Sequence, residues 1–169
     1  LGAVHAAAMT SLGHDVVGID VDEQKVAGLE RGEPAFYEPG LKELLTEQLA
    51  SGRLRFSTNI AEAAGADVHF VAVGTPQKHG ENGADLRFVD ASVDALIPHL
   101  REGSVVAGKS TVPVGTARGL AARIAETVPG AVLAWNPEFL REGFAVQDTL
   151  SPDRFVYGVP NGEAGAHAT

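Results

Sequence analysis

Ala131-Val132-Leu133-Ala134-Trp135-Asn136-Pro137-Glu138-Phe139-Leu140-Arg141-Glu142-Gly143 is a short apolar run that breaks directly into two carboxylates and a guanidinium. A buried strand ending in charged residues is how an open α/β sheet builds a site, because ligands there sit beyond the carboxyl ends of the strands. The same residues also suit a solvated loop, or the start of a helix with Asn136 as its cap. Three further segments of the same apolar-then-polar form favour the site.

The first of these is Val105–Ala107 running into Lys109-Ser110-Thr111-Val112-Pro113-Val114-Gly115-Thr116. The second is Val71-Ala72-Val73-Gly74-Thr75-Pro76, a strand that breaks into a turn. The third is Val16-Val17-Gly18-Ile19-Asp20, a strand ending in a carboxylate. Helical patterns separate them. Helices are predicted over residues 2–12, closed by Gly13, over 22–31, ended by Gly32, and over 41–50 with Leu41, Leu44, Leu45 and Gln48/Leu49 on one stripe. Two more are predicted from residue 85 or 86 to about 100, and over 116–127. Asn59 suits the cap of a short helix over 60–64.

Strands are predicted over 15–20, 67–73, 104–109 and 131–135, all buried, with a short alternating strand over 53–57 and a further candidate at 155–159. Strands alternating with helices imply parallel crossovers. The predicted fold is therefore α/β, a doubly wound parallel sheet. Each candidate functional residue follows a strand.

The bulk numbers narrow the function. The chain has 169 residues, 44% hydrophobic and 21% charged, the profile of one globular domain. Its formal net charge of −9 argues against nucleic acid or an anionic membrane as partner. No apolar run approaches the length of a membrane span, and no signal-peptide pattern opens the chain, so a cytoplasmic location is expected. With no cysteine, the stretch holds no disulfide, thiolate metal site or cysteine nucleophile. The six histidines are scattered, so no metal site is expected.

Taken in order with Tyr37-Glu38-Pro39-Gly40-Leu41, these segments resemble the UDP-glucose/GDP-mannose dehydrogenase family. The two runs NPEFLREG and KSTVPVGT carry most of the resemblance, which extends from Leu1 to about Val159. It implies a Rossmann-like NAD-binding domain over 1–159, with 160–169 beginning a connection to a linking helix and a UDP-binding domain. It also implies an enzyme that oxidises a nucleotide sugar at C6, with UDP-glucose favoured. GDP-mannose, UDP-N-acetylmannosamine and a non-catalytic nucleotide-binding module are the alternatives. A homodimer is implied for the complete protein.

A dinucleotide-binding fold needs a strand, a G-x-G-x-x-G turn and a helix, then an acidic residue about 20 positions on. Gly2 stands where the last fingerprint glycine would be, and Asp20 ends the next strand. The first strand and the other glycines are expected upstream of Leu1, so the sheet is expected to lack that strand between segments 15–20 and 67–73. Asp20 either holds the adenosine ribose hydroxyls, which favours NAD over NADP, or caps the helix over 22–31. The resemblance puts Lys25 beside the same ribose, and puts Gly74, Thr75, Pro76, Ser110, Thr111 and Glu142 at the cofactor. Thr116 serves as a plain N-cap.

For catalysis, the resemblance makes Glu138 the proton-transfer group of the hydrolytic stage and Thr111 the residue that positions its water. It places Glu138, Phe139, Leu140, Arg141 and Glu142 at the substrate. Arg141 either pairs with one of the neighbouring carboxylates or reaches across a subunit boundary. Tyr37 is a loop residue near the substrate end or a packing aromatic. The family's cysteine nucleophile lies outside these residues, so the chain alone is not expected to turn over substrate.

Overall fold

The computed structural model describes residues 1–80, 82–137, 139–160, 162 and 165. Contacts divide the chain into two compact units, Leu1–Glu62 with Phe139–Arg154, and Ala63–Glu138 with Phe155–Thr169.

The first unit carries α1 (Gly2–Ser11), β1 (Val16–Ile19), α2 (Glu23–Glu30), α3 (Leu41–Ala50), β2 (Leu54–Ser57) and a short helix near its end (Ala145–Leu150). β1 and β2 run parallel, with Gly18 opposite Phe56. The glycine is there for space. A Cβ at Gly18 would meet the Phe56 ring at 2.5 Å. The core gathers Val4 and Ala7 of α1, Val26 of α2, Leu41 and Leu45 of α3, and Leu54 and Phe56 of β2. The α3 stripe behaves as its spacing requires, with Leu41, Leu45 and Gln48 buried. The buried strand expected at 15–20 is only half-buried throughout. The helix expected at 60–64 is a single 3-10 turn, Ile60–Ala63, with Asn59 Oδ1 accepting the Ala61 N–H at 3.1 Å.

The second unit carries β3 (Val68–Val71), a helix here called α4 (Arg87–Leu96), β4 (Val105–Gly108), α5 (Thr116–Thr127) and β5 (Val132–Trp135). The helix of the first unit at Ala145–Leu150 is α6. β3, β4 and β5 form a parallel sheet in that order. Gly108 faces Trp135 across the β4–β5 ladder, and a Cβ there would collide with the indole. β4 and β5 are buried as expected, but β3 alternates, with His69 and Val71 inside and Val68 and Phe70 exposed. α4 stops at Leu96 rather than near 100, where Pro98 sits in a 3-10 turn, Ile97–His99.

Strands β1 and β3 belong to separate sheets and are not paired with each other. The candidate strand at 155–159 makes only one antiparallel bridge, Gly158 to Trp135. Two reciprocal bonds of 2.7 Å hold it, with no ladder on either side among the described residues. Among the described residues no helix is long and apolar enough to cross a membrane, and no cluster of acidic or histidine side chains could hold a metal ion.

Candidate functional site

In the first unit the candidate residues gather at the end of β1. Asp22, not Asp20, caps α2, its Oδ1 accepting the N–H groups of Gln24 at 2.9 Å and Lys25 at 3.1 Å. This removes the capping role from Asp20. Asp20 accepts the Asp22 N–H through Oδ1 at 3.1 Å and the Lys25 ammonium through Oδ2 at 2.6 Å. Its side chain remains about one-third exposed. Each oxygen therefore keeps acceptor capacity. Gly2 is the first residue of α1, which has no side-chain cap and no acidic residue in its first turn.

The same unit contains most of the charged segment that follows β5. Phe139 is 57% exposed, with the Arg154 guanidinium 5.6 Å from its ring centroid. Arg141 pairs with Asp148, seven positions on, a partner outside the alternatives of a neighbouring carboxylate or a subunit boundary. Its Nη2 lies 2.6 Å from Asp148 Oδ1, its Nε 3.0 Å from Oδ2, and its backbone N–H also reaches Oδ2 at 3.1 Å. This forked pairing holds the Asp148 carboxyl below its ordinary range and the Arg141 guanidinium above its own. The guanidinium also lies 4.8 Å over the Phe144 ring. Glu138 lies outside the described residues.

Glu38 is the residue that sequence reasoning left without a role. It is buried, and its carboxylate accepts the N–H groups of Gly143 at 3.1 Å and Ala145 at 2.8 Å. Ala145 opens α6, which has no side-chain cap from its own N-cap residue, Phe144. The glutamate thus does the work of a cap from a distant part of the chain. A buried-carboxylate requirement at Glu38 has no local sequence signature. Tyr37 beside it is 90% exposed and does not pack into the core among the described residues.

In the second unit the ends of the three strands are tied by polar groups. The Thr75 hydroxyl donates to the Thr111 carbonyl at 2.9 Å, and the Ser110 hydroxyl donates to the Val73 carbonyl at 2.6 Å. The Trp135 indole N–H donates to the Ser110 carbonyl at 3.1 Å. Lys109 is buried, its ammonium donating to Asn136 Oδ1 at 3.0 Å, while Asn136 Nδ2 donates to the Val156 carbonyl at 3.0 Å. Asn136 therefore ties strand ends together and does not cap a helix. Thr116 is not an N-cap either. Gly115 occupies that position with φ of 95°, and Thr116 is the first helical residue. Thr111 is exposed, and nothing lies within 4 Å of where a Gly74 Cβ would stand. Gly74, Thr75, Pro76, Ser110 and Thr111 thus form one cluster beyond the strand ends.

The whole chain, residues 1–169, matches the model of the UDP-glucose/GDP-mannose dehydrogenase family, NAD binding domain. The chain belongs to this family. It is 43% identical over 169 residues to the UDP-glucose 6-dehydrogenase of Rhizobium meliloti, covering 98% of this chain and 39% of that protein. It is similar in structure to a UDP-glucose dehydrogenase from Pyrobaculum islandicum, with a TM-score of 0.87, 46% identity and coverage of 98% and 39%. It is also similar to a GDP-mannose dehydrogenase from Pseudomonas aeruginosa, with a TM-score of 0.89, 30% identity and coverage of 98% and 40%. The chain therefore spans about two-fifths of the length of these relatives.

NAD is the cofactor of this family domain. The residues present suit it. The Asp20 carboxylate keeps spare acceptor capacity, which suits hydroxyl donors of a ligand. The first turn of α1 carries no acidic side chain that would repel a pyrophosphate. The open space beside Gly74 lets a ligand approach its backbone.

Proposed function

We propose that the full-length protein carrying this chain is an NAD-dependent UDP-glucose 6-dehydrogenase, which oxidises the sugar C6 alcohol twice to give UDP-glucuronate. The observation that carries the choice of sugar is the difference in identity, 46% to a UDP-glucose dehydrogenase against 30% to a GDP-mannose dehydrogenase. Backbone similarity does not discriminate, since the TM-scores are 0.87 and 0.89. Residues 1–159 are assigned to the NAD domain and 160–169 to the start of its connection. The working protein is assigned as a cytoplasmic homodimer.

NAD, when bound, would supply the hydride acceptor for each oxidation. Asp20 and Lys25 orient the adenosine ribose, and the start of α1 at Gly2 neutralises phosphate charge. The turn Gly74-Thr75-Pro76 and the pair Ser110-Thr111 shape the cofactor's surroundings, with Glu142 between cofactor and sugar. Phe139, Leu140 and Arg141 contact the sugar nucleotide, Phe139 and Leu140 mainly through backbone. Thr111 positions a water, and Glu138 moves its proton in the hydrolytic stage. The chain contains no cysteine, so the covalent sulfur stage is assigned to a residue outside it.

A substrate panel on the full-length protein tests this. UDP-glucose, GDP-mannose and UDP-N-acetylmannosamine are each offered with NAD, and NADH formation is followed. UDP-glucose is expected to give the highest kcat/KM. A preference for either other sugar would overturn the assignment.

A further inference from the structure

We propose that Glu38 is a positioning residue for sugar-nucleotide binding, acting through the segment that follows β5. The inference rests on the reading of residues 139–142 as the substrate-contacting stretch. Within the first unit that stretch is held at two places. Arg141 is fixed to Asp148 of α6 by two side-chain bonds and one backbone bond. Gly143 and Ala145 are fixed to Glu38 by their N–H groups. α6 in turn packs against α1 and buries Ala145 in the core.

The two anchors differ in kind. The Arg141–Asp148 pair is local, and the Arg141 side chain is 64% exposed, so solvent competes for it. Glu38 is 7% exposed and carries its bonds in a dry setting, where each charge-assisted bond is stronger. Glu38 is also held in place, because the Leu41 N–H donates to its carbonyl at 3.1 Å and α3 begins there. Gly143 has φ of 81°, a left-handed turn that redirects the chain into α6, and Glu38 holds the N–H of that residue. Removing the carboxylate frees the turn and the first residue of α6 together. Phe139 to Glu142 then lose a fixed end, while Asp20, Lys25 and α1 keep their own contacts. The sugar is affected more than the cofactor, which this segment meets through Glu142 alone.

The test uses Glu38→Gln and Glu38→Asp in the full-length protein. Glutamine keeps the size and one acceptor oxygen, and aspartate keeps the charge with a shorter reach. Glu38→Gln is expected to raise the KM for UDP-glucose about tenfold, as loss of one charge-assisted bond implies, with NAD affinity within about twofold of wild type. Glu38→Asp is expected to recover part of that loss. A sugar KM unchanged in Glu38→Gln, or NAD affinity falling in parallel, would overturn the proposal. Hydrogen exchange over residues 139–150 reads the clamp without reference to any sugar. Exchange there is expected to be at least tenfold faster in Glu38→Gln, and unchanged exchange would overturn the proposal even if the wild type turned over no nucleotide sugar. Absence of wild-type turnover would count against the proposed reaction alone.

Discussion

The Glu38 carboxylate accepts the backbone N–H of Ala145 at 2.8 Å across 107 positions of the chain. That single bond, with its companion to Gly143, explains why a six-residue helix exists at Ala145–Leu150. A helix this short is not stable alone, and its first N–H groups need acceptors. The loop Tyr37-Glu38-Pro39-Gly40 provides them.

Asp20 is expected to select NAD. Asp20→Ala in the full-length protein removes acceptors for the ribose hydroxyls and releases Lys25 from its 2.6 Å pairing. Loss of a charge-assisted bond costs about 1.5–3 kcal/mol, so NAD should bind roughly ten- to a hundredfold more weakly. NADP should bind better, because the freed ammonium favours a 2′-phosphate. Titration with both cofactors checks this, and unchanged values for both would remove Asp20 from the ribose site.

Two glycines should respond in opposite ways. Gly108→Ala drives a methyl group into the Trp135 ring, and overpacking of this kind costs about 1–3 kcal/mol. Gly74→Ala meets nothing within 4 Å and should leave stability unchanged while weakening NAD binding. Denaturant unfolding and NAD titration of both variants separate the roles. Equal destabilisation by the two, or unaffected NAD binding in Gly74→Ala, would contradict the assignment.

His69 should make the fold sensitive to mild acid. The imidazole is buried on β3, its Nε2 finds no hydrogen-bond partner among the described residues, and burial pushes its pKa down from the ordinary 6.5. The unfolded chain therefore takes up a proton first as the pH falls below about 6.5, while the folded protein does not. Stability is expected to decline through that window and to level off below the lowered folded value. His69→Leu should flatten the slope between pH 5 and 7, a range chosen to stay above the carboxylates. An unchanged slope in unfolding experiments would show that another group is responsible.

Glu138→Gln and Thr111→Ala are expected to slow the hydrolytic stage more than hydride transfer. A positioned acid–base group contributes about 10²–10⁴-fold. A covalent enzyme–substrate species should accumulate in the full-length Glu138→Gln protein mixed with UDP-glucose and NAD. Intact-mass measurement detects it. Normal steady-state rates with no adduct would exclude Glu138 from the mechanism.

Most of the fold was legible because its signals are local. The α3 stripe, the glycines that end α1 and α2, and the buried runs of β4 and β5 all act over a few residues. Asp20 was placed correctly at the end of β1, but its rival role could be discarded only when Asp22 was seen to take the cap. The misses are non-local. α6 depends on Glu38, the pairing of Arg141 with Asp148 depends on α6 folding back, and the bridge at Gly158 depends on Trp135. β3 read as fully buried from its apolar content, yet Val68 and Phe70 are exposed, because periodicity reports which faces differ and not what covers them.

The reaction proposed for the full-length protein is a twofold oxidation of UDP-glucose by NAD. It is tested most directly by counting NADH formed per UDP-glucose consumed in the purified full-length protein, with the sugar product identified by mass. Two NADH per UDP-glucose and UDP-glucuronate as the product are expected. One NADH per sugar, an aldehyde end product, or no NADH from UDP-glucose would contradict it.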